Sequence, residues 1–174
     1  MRTTLVAVCV LCSCAAFGEQ TCDTSAHPLS SPTERFADNG DGTVTDTESR
    51  LMWMRCSLGQ TWSGGSCTGT PRQYSWEAAI AAAEALNQSG SLFFNDWRVP
   101  KLPELANIAE RECQNPRINL TIFPNTPPAR FWTTTSRPGG EFDAYAYALD
   151  FGSQGVQHES KAQSFYVRLV RTGQ

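Results

Sequence analysis

A chain of 174 residues, 40% hydrophobic and with a formal net charge of −3, suits one ordinary domain with a core of its own. Fourteen basic residues against seventeen acidic ones give no broad positive footprint, which excludes a polyanion binder of the nucleic-acid type.

The chain opens MRTTLVAVCVLCSCAAFG. Arg2 precedes an apolar run from Leu5 to Phe17, and Ala16-Phe17-Gly18 has the small residues of a cleavage site, so residues 1–18 read as a secretory signal peptide. The run falls short of the roughly 20 apolar residues of a membrane span. A rival reading takes Leu11-Cys12-Ser13-Cys14 as a lipid-attachment box with Cys14 modified. Either way the chain is exported, to the periplasm, the cell surface or the medium. Loss of the leader leaves about 156 residues and four cysteines, Cys22, Cys56, Cys67 and Cys113. Four cysteines in an exported chain predict two disulfides, with three possible pairings. Spacing favours Cys56–Cys67 as a local clip, which leaves Cys22–Cys113. Loop entropy gives roughly 3 kcal/mol for the first and roughly 4.5 kcal/mol for the second. The four form no C-x-x-C, and His27 and His158 lie in unrelated segments, so zinc is not expected.

Residues 19–32 are polar, proline-bearing and aperiodic, an extended arm before a domain over 33–174. RFADNGDGTVTDTESRLMWMRC reads as three strands joined by two turns. Within it, DNGDGTVTD has two readings. As a calcium loop, Asp38, Asn39 and Asp41 would supply hard oxygen ligands, but the twelfth position is Ser49 rather than Glu, and no helix enters. As a hairpin, Asn39-Gly40 and Asp41-Gly42 tolerate the positive φ that a tight turn requires. The hairpin is the better reading, and no cofactor is expected. GQTWSGGSCTGTPRQ reads as a loop stapled by Cys67. SWEAAIAAAEALNQSG is a helix capped by Ser75, with Trp76, Ile80, Ala83 and Leu86 along one stripe and Gly90 past its end. A short strand, DWRVP, leads into a second helix over KLPELANIAERECQ, with Leu102, Leu105 and Ile108 inward. Arg98 in that strand is expected in a buried pair with Asp96, Glu104 or a backbone carbonyl. PRINLTIFPNTPPAR, with four prolines, is irregular. FWTTTS and DAYAYALDF are strands, the second by its alternation of Tyr145, Tyr147, Leu149 and Phe151 with smaller residues. GSQG turns the chain, and SFYVRLVR closes it with Phe165, Val167 and Leu169 on one face. Helices followed by antiparallel strands define an α+β domain.

The ordered set DNGDGTVTD, LMWMRC, DWRVPKLPEL, INLTIFP, FWTTTS and YVRLVR, over about residues 33–171, resembles the Lcl C-terminal domain family, bacterial domains of unknown function named for a collagen-like adhesin. The resemblance implies a C-type-lectin-like fold, related to formylglycine-generating enzymes. Its terminal strands would pair, two helices would pack on the sheet, and long loops would gather at one end. The name-giving adhesin binds sulfated glycans and trimerises through its stalk. This chain has no Gly-X-Y repeat, and its own oligomeric state is open.

Trp53, Trp76, Trp97 and Trp132 sit among apolar neighbours and are expected in the core. Trp62, in the clipped loop, is either a sugar-stacking tip or a lid. Arg130, Arg137, Glu141, Asp143 and Tyr145 cluster in two loops that the lectin-like plan would place at the ligand-binding end. His158 with Asp143 or Asp150 and a serine has no G-x-S-x-G context, and no cysteine follows Cys113, so catalysis is not expected. The leading reading is an exported, noncatalytic adhesin-type module for a surface glycan or protein. Alternatives are an accessory subunit of a pilus or envelope complex and, with least support, an enzyme.

Overall fold

The structure is a computed structural model that describes residues 19–90 and 93–173. The leader and Cys14 lie outside the described residues. Along the chain run β1 (Thr21–Cys22), β2 (Phe36–Asp38), β3 (Thr43–Asp46), β4 (Leu51–Met54), β5 (Thr61–Ser63) and β6 (Ser66–Thr68). Then come α1 (Trp76–Gln88), α2 (Leu102–Asn107), β7 (Cys113–Gln114), β8 (Arg130–Ser136), β9 (Tyr145–Asp150), β10 (Gly155–Ser160) and β11 (Val170–Thr172). The architecture is α+β. A four-stranded antiparallel sheet has the order β11-β4-β3-β2 and a three-stranded one β10-β9-β8, with two-strand ribbons β1-β7 and β5-β6 beside them. The closing strand β11 therefore lies against β4, with Val170 opposite Trp53.

Local chemistry accounts for the first sheet. In the β2–β3 hairpin Gly40 and Gly42 take φ of 80° and 88°. The Asp38 carboxylate accepts from the Gly40 amide at 2.9 Å, and Asp41 accepts from the Thr43 amide and hydroxyl at 2.9 and 2.6 Å. Asn39 donates to the Thr43 and Thr45 hydroxyls. The polar groups of DNGDGTVTD thus brace a turn and set the register that faces Val44 with Trp53.

The core is two clusters that share strands. Trp53, Phe131, Leu149 and Val170 enter one, whereas their chain neighbours Met52, Trp132, Ala148 and Leu169 enter the other. Successive side chains of a strand point to opposite faces, so both faces of these strands are covered. Ser75 caps α1 by accepting from the Ala78 amide. The helix buries Ala79 and Ala83 in the second cluster, along with Ala146 and Ala148 of β9. Phe165, Val167 and Leu169 join that cluster from one face, as their spacing predicts.

Both disulfides, Cys22–Cys113 and Cys56–Cys67, have the predicted pairing. Such bridges belong to a chain that matures in an oxidising compartment, extracellular or periplasmic. Among the described residues no helix is long and apolar enough to cross a membrane.

The closing strand is confined to Val170–Thr172, with Phe165 and Tyr166 in isolated bridges, and the elements differ from expectation in five further places. The arm is not merely extended: β1 pairs with β7, Gln20 donates to the Pro116 and Ile118 carbonyls, and buried Glu110 accepts from the Ser30 and Ser31 amides. The segment around Trp62 is a hairpin, β5–β6, rather than a loop. DWRVP shrinks to a single bridge between Arg98 and Val170, on the edge of β11 that faces away from β4. The second helix stops at Asn107, after which Ala109 bridges to Ile118 and draws the chain into extended backbone. Finally, VQHES forms β10, a strand whose polar composition hid it.

Arginines do much of the bracing. Arg35 makes a bidentate pair with fully buried Asp46, at 2.7 and 2.5 Å. Arg98 pairs with Glu104 at 2.7 Å, but its side chain is 38% exposed, so the expected pair sits at the surface rather than inside. Asp96 instead meets Arg171 at 2.6 Å. Arg168 is wholly buried and has no carboxylate partner among the described residues. It donates to the carbonyls of Met54 and Arg55 and to Thr126 Oγ1, and lies over the Phe123 ring. Burial lowers its pKa to about 9, which leaves it charged at neutral pH.

Candidate ligand-binding surface

The six residues singled out for binding fall in three separate places. Trp62, on β5, leans over the Arg55 guanidinium at 4.1 Å. Arg55 in turn pairs with Asp38 at 2.7 Å and donates to the Thr121 and Ile122 carbonyls. The hairpin fits only because residue 42 is glycine: a Cβ there would lie 2.7 Å from Trp62. Between the two hairpins is a cleft of about 550 Å³ lined by Met54, Leu58, Trp62 and Leu86. Trp62 is both half-buried lid and cleft wall.

Arg130 begins β8 and lies in a shallow groove of about 350 Å³ with Phe165 and Tyr166. Its guanidinium sits 3.3 Å from Glu159, contacts Gln154 and lies over the Phe165 ring at 5.6 Å. The Pro-rich loop before it is packed, not solvated, since Thr126 is buried and receives Arg168.

Arg137 follows the other end of β8, about 20 Å away along a seven-residue strand. The structure therefore separates the two arginines that sequence reasoning grouped. Beyond Arg137 the chain makes a 3-10 turn, Gly140–Ala144, steadied by Asp143 accepting from the Gly139 amide at 2.8 Å. Glu141 stands exposed on that turn. The turn places Phe142 beneath Arg137, whose guanidinium lies 4.4 Å above the ring. From there a row of flat side chains continues over the outer face of β9 and β10. His158 lies opposite Tyr147 in register, with ring centroids 5.0 Å apart. Tyr145 stacks on His158 at 5.2 Å and 27°, and Phe142 stands 5.9 Å from it. Tyr145 is 39% exposed, and His158 is exposed. Neither phenol nor the imidazole has a hydrogen-bond partner among the described residues, so each is free to bond an external group.

Of this row, Arg137 and Tyr145 are candidates named from the sequence, whereas Phe142, Tyr147 and His158 are not. The alternation in YAYALDF already put Tyr147 on the face of Tyr145. His158 had no such signal, because β10 went unrecognised.

Asp38, Asn39 and Asp41 stay in the β2–β3 turn with their oxygens engaged as described. Among the described residues no group of three or more His, Cys, Asp or Glu is placed to hold a metal ion.

An α+β domain with two disulfides and an aromatic patch on one sheet face is the class that fold and surface define. A family model for the Lcl C-terminal domain matches residues 42–171, about three quarters of the chain. The chain belongs to the Lcl C-terminal domain family, whose function is unknown. No curated protein matches it.

Proposed function

We propose that this is an exported, noncatalytic recognition module that captures a surface glycan on the face of β9 and β10. The observation that carries the reading is the ring row Phe142, Tyr145, Tyr147 and His158, in which Tyr145 and His158 are exposed and the other two half-buried, ended by Arg137. Flat rings offer apolar faces to the C–H surface of a sugar, and the free phenols and imidazole supply hydrogen bonds to its hydroxyls. Arg137 adds a planar donor suited to a sulfate or carboxylate on the glycan. A C-type-lectin-like scaffold, which the family resemblance implies, would hold such a surface rigid.

The test is a glycan array probed with the mature protein, beside affinity purification from the native envelope. Array signal that falls at least tenfold in Tyr145→Ala and Arg137→Ala, at unchanged melting temperature, supports the reading. A blank array with stoichiometric pilus or envelope subunits in the eluate overturns it in favour of an accessory role.

A further inference from the structure

Strand β10 is paired on one side only. Its six residues, Gly155 to Ser160, run in unbroken register with β9 from Asp150 back to Tyr145. In the sheet order β10-β9-β8 it is the outer strand, and no main-chain hydrogen bond reaches its far side from another described segment. Edges of this kind are usually blunted by lysine, proline, a bulge or a covering loop. GVQHES contains no lysine or proline, and its register shows no bulge. Its one acidic residue, Glu159, is turned to Arg130. Val156, with no structural neighbour that hides it, is 46% exposed. An unguarded edge of this length is a template for another strand.

We infer that the occupant of this edge is β10 of a second copy, paired antiparallel about a two-fold axis through Gln157. The argument is self-complementarity. In a two-fold pairing the same face of each strand stays on one side, so residues pair with partners of their own parity. Centred on Gln157, Val156 faces the partner's His158, and Gln157 faces the partner's Gln157, amide to amide. Glu159 then faces the partner's Gly155, so no like charges oppose each other. Centred instead on His158, the two imidazoles would face each other and Glu159 would face Gln157, leaving Val156 opposite Ser160. The first register alone joins the apolar Val156 to a ring on both sides of the axis. The resulting six-stranded sheet carries the rows around both His158 side chains on one continuous face. Six residues bury less than the roughly 1,600 Å² of a standard interface, so the dimer forms in a concentration-dependent way. This inference stands apart from the glycan reading, since it needs only the edge.

The experiment has two arms on the mature protein. Sedimentation velocity across a series up to millimolar concentration should show a monomer converting to a dimer, and Val156→Lys should abolish the conversion without changing the melting temperature. Register is read by single cysteines under mild oxidation. Opposed residues of an antiparallel pair have Cα atoms about 4.5–5.5 Å apart, within disulfide reach. Gln157→Cys should therefore crosslink to itself. Val156→Cys and His158→Cys should each remain uncrosslinked alone and crosslink when mixed. A species that remains monomeric at every concentration overturns the proposal. So does a dimer that survives Val156→Lys, or one in which His158→Cys alone crosslinks as fast as Gln157→Cys.

Discussion

At the scale of single residues, side chains of similar chemistry carry opposite duties, and burial separates them. Trp132 has no exposed surface, packs beside Phe165 and donates its indole N–H to the Tyr74 carbonyl at 2.8 Å. Trp132→Ala should cost about 3–5 kcal/mol through the cavity it leaves. Tyr145, on the open face, should cost no more than about 1 kcal/mol as Tyr145→Ala. Urea unfolding of both variants checks the contrast. Carboxylates divide in the same way. Burial pushes the Asp46 carboxyl up, but hydrogen bonds from Arg35 and Ser49 outweigh it and hold the pKa below the ordinary 3.8. Glu104 is likewise pushed up by burial and pulled further down by Arg98 and the Lys101 amide, below its ordinary 4.5. A carboxylate whose folded pKa is depressed adds stability above its unfolded pKa and loses it as pH falls through the folded one. Stability should therefore drop progressively as pH falls below about 4.5, and Asp46→Asn, less stable at neutral pH, should show a shallower fall. Melting temperatures between about pH 5 and pH 2 measure both slopes.

At the scale of elements, the β2–β3 hairpin answers the question its sequence poses. Asp38 and Asp41 serve the turn amides, and Asp38 also holds Arg55, which supports Trp62. Such a turn needs no ion. On this reading chelator should leave the melting temperature unchanged, because a turn closed by its own hydrogen bonds draws no linkage stabilisation from an ion. Asp41→Ala should lower stability by about 1 kcal/mol, the worth of its hydrogen bonds, equally with and without calcium. A rise of several degrees on adding calcium, lost in Asp41→Ala, would reverse the assignment. Helix α2 teaches the complementary lesson. Its start is written locally, in Pro103 and in Glu104 folding back on the Lys101 amide at 2.6 Å. Its early end is not, because extended backbone after Asn107 lets Ala109 bridge to Ile118 and Glu110 reach the arm.

At the scale of the whole molecule, two core clusters are built on the same strands, so neither can form without the other. Neighbours such as Trp53 and Met52, or Phe131 and Trp132, divide between them. The domain should accordingly unfold in one step, with tryptophan fluorescence and far-ultraviolet circular dichroism giving coincident denaturant transitions. Two resolved transitions would mean that the clusters are independent.

What the sequence by itself determined is what short-range chemistry dictates. Glycines and Asx residues define the β2–β3 turn, Ser75 defines the start of α1, and four cysteines define two bridges. Of the buried tryptophans, Trp53 was legible from its apolar run Leu51–Met54, whereas Trp97 stands between Asp96 and Arg98 and Trp132 between Phe131 and Thr133. Only the tertiary structure decided the rest. Arg130 and Arg137 are close in the chain yet stand at opposite ends of an extended strand. His158 is far from Phe142 in sequence but is carried beside it by the pairing of β10 with β9. Strand β10 has a composition that favours no particular element, and its partner strand imposes the conformation. Surfaces assembled across strands depend on pairing register, and register is a property of the folded sheet rather than of any one segment.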